Sequence, residues 1–194
     1  MSTEPRSEDV VTGEGVTLAQ LLVTEYQTIK DEQKARIGFR DNLLYVTLAA
    51  VVAVVAAATQ AKQPQMLLAL PPVCVVLGWT YLVNDEKISA IGAYVRSELG
   101  PSLAAATGIP GATIPVFGWE TAHRSDPKRR SRKRIQCLVD QGTFCLVPAA
   151  SLAVYWAHGS LGALMISLSA IEALTVAVLA VEFALYAKAP RTGT

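Results

Sequence analysis

The sequence predicts an all-α membrane protein with four transmembrane helices, cytoplasmic helical extensions and both termini inside. Three observations predict it. The chain of 194 residues is 52% hydrophobic and only 17% charged, a balance opposite to that of a disordered protein. Its apolar residues come in long blocks, whereas a soluble domain spreads them at a period of 2 or 3.6. Strongly charged stretches separate the blocks and orient them. A soluble bundle of very apolar helices is the alternative, but a window as uniform as Leu48 to Ala58 leaves no polar face for water.

Residues 1–16 read as a disordered acidic tail. Glu4, Glu8, Asp9 and Glu14 lie there with no basic stretch beside an apolar core, so a signal peptide is not expected. Residues 17–41 predict a cytoplasmic helix, because Leu18, Leu22, Tyr26 and Ile29 recur at helical spacing and Glu32 precedes Arg36 by one turn. That helix is expected to run on into the first span, 42–60. A turn at Lys62 leads to the second span, 66–83. A bilayer core of about 30 Å takes roughly 20 helical residues, and both blocks come close to that length.

Residues 84–106 predict a second cytoplasmic helix with a stripe of Ile88, Ile91, Val95 and Leu99, stopped at Gly100-Pro101. The two stripes are expected to pack together below the membrane. The acidic residues Glu25, Asp31, Glu32, Asp85 and Glu86 argue against laying them on anionic headgroups. Residues 107–134 are rich in Pro and Gly and read as a cytoplasmic loop that ends in a basic run. The third span, 138–157, includes Asp140 in its first turn. The fourth, 161–187, is interrupted by Glu172 and Glu182, and residues 188–194 form a C-terminal tail.

Charge sets the threading. Of 17 Lys and Arg residues, five precede the first span, one is Lys62, nine lie between spans two and three, none is in the His158 turn and two follow span four. Both termini and the central segment in the cytoplasm put 16 of the 17 inside, as the positive-inside rule requires.

The basic run, Lys128, Arg129, Arg130, Arg132, Lys133 and Arg134, stands directly before span three. It reads as an anchor for anionic phospholipid headgroups, worth about 1 kcal/mol per residue near such a surface. An anionic ligand such as a nucleotide is the sharper alternative, since a cluster of this kind attracts any polyanion. No phosphate-cradling Gly loop accompanies it, which weighs against a nucleotide or nucleic acid and for the headgroup anchor.

Glu172 lies near the expected bilayer midplane, where a carboxylate is costly. It must face protein or water or be carried as the neutral acid, and such residues often mark ion or proton paths. A hydrogen bond between helices is the structural alternative. Asp140 and Glu182 stand near the cytoplasmic ends of their spans, so interface placement is expected of both. Ala49, Ala53 and Ala57 in span one, and Ala173, Ala177, Ala180, Ala184 and Ala187 in span four, are small-residue stripes that permit close helix packing. Pro71-Pro72 and Pro148 suggest kinks.

Two runs, Arg36-Ile-Gly-Phe-Arg-Asp-Asn-Leu-Leu-Tyr and Leu77-Gly-Trp-Thr-Tyr-Leu-Val-Asn-Asp-Glu-Lys-Ile-Ser, resemble a family of uncharacterised bacterial, chiefly actinobacterial, integral membrane proteins over roughly residues 25–96. The resemblance implies a bacterial inner membrane and no mechanism. Beside it, Arg36, Arg40 and Asp41 at the foot of span one share a level with Asn84, Asp85, Glu86 and Lys87 at the foot of span two, where antiparallel neighbours pair charges.

No nucleophile with a base, metal-ligand cluster or carboxylate pair stands at a useful spacing, so no catalytic residue, metal or cofactor is expected and the chain does not read as an enzyme. Cys74, Cys137 and Cys145 form no Cys-x-x-Cys pair and support neither a disulfide framework nor a zinc site. Two functions remain. The first is an oligomeric signalling or defence-type effector whose cytoplasmic helices answer to a protein or anionic ligand. The second is a small ion or proton channel or transporter using Glu172.

Overall fold

A computed structural model of the chain describes residues 17–106, 129–159 and 162–188. The acidic tail, the Pro- and Gly-rich segment up to Lys128 and the C-terminal residues 189–194 lie outside the described residues. Those described are helical almost throughout, and four of their helices are long and apolar enough to cross a membrane.

Helix α1 spans Leu18–Ala61 without a break, a rod of about 66 Å at 1.5 Å per residue. Its start is encoded locally. The Thr17 hydroxyl accepts from the Gln20 backbone N–H at 3.3 Å, and the Gln20 side chain accepts from the Thr17 N–H at 2.8 Å. This reciprocal capping box satisfies two of the first-turn donors. At the other end Lys62 turns the chain in the left-handed conformation, φ 54°, and the Gln63 N–H closes on Ala58 O at 3.1 Å.

A 3-10 turn, Pro64–Ala69, leads into α2, Leu70–Tyr94. Pro71 and Pro72 therefore stand in the first turn of α2, where the missing donors have no helical acceptor to fill. They open the helix and do not kink its middle. A π-helical turn, Val95–Leu99, connects α2 to α3, Gly100–Ala106. The stop expected at Gly100-Pro101 is thus corrected. Pro101 cannot donate to its i−4 carbonyl, and the chain absorbs the defect by widening one turn and continuing.

Helix α4 covers Arg129–Gln141, a second π turn covers Gly142–Leu146, and α5 runs Val147–His158. Here too the wide turn immediately precedes a proline, Pro148. The boundary expected at 134 is corrected as well, since Arg129–Arg134 belong to a helix that continues into the third apolar segment. Helix α6 spans Ala163–Lys188.

The helices alternate in direction. One end of the bundle carries the start of α4 and the end of α6 together with the long projection of α1 and α2. The opposite end carries the Lys62 and His158 turns. The core lies toward the first end, where Leu43, Tyr81, Leu82, Phe144, Cys145, Val176, Leu179 and Phe183 draw on all four apolar segments. The Tyr81 and Phe144 rings are 5.1 Å apart, and Phe144 stacks on Phe183 at 6.0 Å. A smaller cluster of Leu68, Leu152 and Tyr155 fills the turn end, with Met165 and Ala173 against it. The outward surface is apolar, with Val52, Leu146, Leu164 and Leu174 each more than 60% exposed, as suits a bundle whose solvent is hydrocarbon.

Beyond the apolar segments, the first half of α1 packs against the end of α2 and against α3. Val95 and Leu99 are fully buried there, the Tyr94 hydroxyl donates to Glu25 at 2.6 Å, and the Gln33 amide donates to Ile88 O at 3.2 Å. The two stripes read from the sequence do meet. Leu18 alone of the α1 stripe stays exposed.

Candidate functional site

Charged and hydroxylated side chains converge where the projecting hairpin enters the bundle. Arg36 and Arg40 stand one turn apart on the α1 face that meets α2. Arg40 Nη1 donates to Asp85 Oδ1 at 2.8 Å, and its Nη2 donates to Asp41 at 2.9 Å. Arg36 Nη1 reaches Asn84 Oδ1 at 3.3 Å while its Nε donates to Glu32 at 2.8 Å. Asn84 anchors its own amide on Thr80 O. The pairing expected between the feet of spans one and two is present, and Glu86 and Lys87, both exposed, stand outside it.

Helices α4 and α6 complete the network. The Tyr186 hydroxyl donates to Asp85 Oδ2 at 2.8 Å and lies 3.2 Å from Ser89 Oγ. The Tyr81 hydroxyl, one turn above Asp85, accepts from the Gln136 amide at 3.4 Å, and the buried Asp140 carboxyl lies close enough to interact with it. The Arg40 guanidinium lies 5.9 Å from the centre of the Tyr81 ring, close enough for a cation–π contact. Burial disfavours the charge on Arg40, but the hydrogen bonds it donates to Asp41 and Asp85 outweigh that and hold its pKa above the ordinary value. Asp85 thus ties α1 to α6, and Tyr81 ties α2 to α4.

Asp140 departs from expectation. It is 7% exposed and sits inside this network, so near the end of its span its side chain faces protein where headgroups and water were expected. The physical reason is the length of α4. Because the helix begins at Arg129, Asp140 stands three turns inside it and turns inward onto Tyr81. Glu182 is half-buried on α6. Of the basic run, Arg129 to Arg134 form the first turns of α4, and Lys128 lies outside the described residues. Positive charge in those first turns is unfavourable to the helix dipole, and Arg129, Arg130, Arg132, Lys133 and Arg134 all fall there.

Sequence reasoning missed Tyr81, Gln136 and Tyr186. A local signal was available for two of them, since Tyr81 precedes Asp85 and Gln136 precedes Asp140 by four residues each, whereas Tyr186 meets Asp85 across 101 residues.

Glu172 lies deeper. It belongs to the inward stripe of α6 formed by Ser169, Glu172, Val176, Leu179 and Phe183, and it is 8% exposed. Ser169 accepts from Trp156 Nε1 at 2.9 Å, whereas Glu172 Oε2 is buried with no hydrogen-bond partner. A buried polar atom of this kind costs about 1–3 kcal/mol unless a proton, water or ion meets it.

Among the described residues no group of three or more His, Cys, Asp or Glu is arranged to hold a metal. Cys74, Cys137 and Cys145 are free thiols. The fold and site define a helical membrane protein with four candidate spans and a buried polar junction. Comparison with family models, curated proteins and solved structures gives no match.

Proposed function

We propose that the chain is a multi-pass protein of a bacterial inner membrane, threaded with both termini in the cytoplasm, that acts as a non-enzymatic signalling or defence-type effector. A protein or anionic ligand engages the cytoplasmic hairpin, and the spans respond through the Arg40–Asp85–Tyr186 network. The observation that carries this reading is mechanical continuity. Helices α1 and α2 pass unbroken from the hairpin into the apolar bundle, and the ion pair that joins them stands where they enter it. A displacement of the hairpin is therefore felt at Asp85, which also holds α6. The outward-facing Ala49, Ala53 and Ala57, all exposed, favour assembly of several copies in lipid. The basic run of α4 supports anchoring at anionic headgroups, and the resemblance of residues 36–45 and 77–89 supports the bacterial setting.

A second reading, an ion or proton path through the bundle, rests on the orphaned Glu172 Oε2. One experiment addresses both. Expression of Asp85→Asn in bacterial cells is expected to depolarise the membrane while the wild type does not, because the substitution releases the junction. If Glu172→Gln in the same chain abolishes the depolarisation, the path through Glu172 is the output. If it persists, the spans perturb the bilayer themselves. A correctly inserted Asp85→Asn chain that leaves the potential unchanged refutes coupling between hairpin and spans.

A further inference from the structure

At the turn end of the bundle, away from the polar junction, α1, the 3-10 turn and α5 enclose a groove of about 520 Å³. Its walls are apolar, with Val55, Leu67, Leu70, Val147 and Val154 among them. Two hydroxyls face it, but both are spent on their own helices, Thr59 on Val55 O at 2.9 Å and Ser151 on Pro148 O at 2.8 Å. The polar capacity of the groove therefore sits at its mouth, in Lys62 and His158, contributed by two different turns.

The charge around that mouth is one-sided. The sequence has no Asp or Glu from Asn42 to Asn84 or from Gln141 to Ile171, so nothing in either helical hairpin near this end neutralises Lys62. Lys62 also holds φ 54° and is the one described non-glycine residue at positive φ. Glycine takes that backbone at no steric cost and is the usual residue after a helix end. Lys62 therefore holds a backbone conformation that residues other than glycine rarely adopt. The Lys62 side chain is exposed and lines the groove just past the end of α1, and a lysine so placed can lay its methylene stem on apolar surface while its ammonium stays in polar surroundings.

We propose that this groove is a binding site for one anionic phospholipid, with an acyl chain along its apolar floor and the phosphate held by Lys62 and His158. Its volume suits a bound ligand, and its combination of an apolar floor with a cationic mouth matches an anionic lipid and no polar metabolite. The site is separate from the basic run of α4, which lies at the other end of the bundle.

The test places a photoreactive amino acid at Val154, an exposed residue of the groove wall, in the full chain reconstituted into vesicles. The vesicles contain either phosphatidylcholine alone or an equal mixture with phosphatidylglycerol. Illumination followed by mass spectrometry is expected to yield a phosphatidylglycerol adduct at least fivefold in excess of the phosphatidylcholine adduct. Lys62→Gln combined with His158→Gln should reduce that excess to none, and Lys62→Arg should keep it. The lysine substitutions lie on an exposed turn, and the helix content of each variant reports its fold. Equal adduct yields from the two lipids, or an excess that survives the double substitution, would overturn the proposal. A crosslink to a peptide of a second copy would also overturn it and would assign the groove to self-association.

Discussion

Replacing Asp85 by Asn tests the junction most directly. In the native bundle Asp85 accepts from Arg40 at 2.8 Å and from Tyr186 at 2.8 Å, and the Asp85 and Arg40 side chains are only 14% and 21% exposed. A hydrogen bond to a charged group contributes about 1.5–3 kcal/mol. Asparagine keeps the shape and one acceptor, so it retains one of the two bonds in neutral form and presents an amide donor where the other acceptor stood. Arg40 is not orphaned, because Asp41 remains at 2.9 Å, and partial exposure screens the lost Coulomb attraction. The expected net loss is about 2 kcal/mol, below the cost of breaking a fully buried pair. Tyr186→Phe alone should cost about 1 kcal/mol. Because both changes act on one carboxylate, the double variant should lose about 1 kcal/mol less than the sum of the singles. Helix loss followed by circular dichroism in mixed micelles of increasing denaturing detergent measures all three. Additivity within about 0.3 kcal/mol would show that Asp85 and Tyr186 do not share a bond that matters, and the four-helix junction would lose its central member.

Two further outcomes follow from the packing. Gly78→Ala would place a methyl 2.9 Å from both Leu179 Cδ2 and Phe144 Cβ. The leucine tip can turn aside but the phenylalanine stem cannot, so the variant should lose about 2 kcal/mol in the same unfolding assay, and a neutral result would place the three helices further apart than described. The bond from Tyr94 to Glu25 raises the tyrosine pKa above its ordinary value, with the hydrogen bond as the largest cause and burial second. A raised folded pKa contributes stability that is complete below the unfolded value of about 10 and is lost as pH rises through the folded one. The wild type should therefore lose more stability than Tyr94→Phe between about pH 9 and pH 11, and parallel losses would remove this contact from the hairpin.

The four apolar segments were legible because hydrocarbon demands length and uniformity, and no tertiary contact is needed to read either. The start near Thr17 was legible because the apolar spacing from Leu18 onward is local. The continuation through Pro101 was not, because a proline one turn past a flexible helix can end it or widen it, and the outcome depends on what packs beside Val95 and Leu99. Asp140 was misread for a related reason. Its surroundings were judged from the nearest edge of an apolar block, whereas the face it turns to depends on the rotation of α4, which packing against the other helices fixes. The pairing of Arg40 with Asp85 was legible as a shared level between antiparallel neighbours. The contribution of Tyr186, 101 residues away from Asp85 in sequence, was not.

The contrast between Asp85 and Glu172 bears on where a signal could end. Both are inward carboxylates, and both stand on helices that reach the projecting end of the bundle. Asp85 meets a guanidinium and a phenol, so its charge is compensated in the folded state and its role is to hold helices together. Glu172 meets no donor at Oε2, and the segments around it offer no Lys or Arg. A buried polar atom left unpaired raises the free energy of the packed state by about 1–3 kcal/mol, and any rearrangement of α6 that admits water or a proton donor recovers part of it. Helix α6 connects the two groups, with Tyr186 bonded to Asp85 of α2 at one end and Glu172 about four turns away toward the other. Tyr186 and Glu172 therefore place on one helix a group that is held by a neighbour and a carboxyl oxygen that is not.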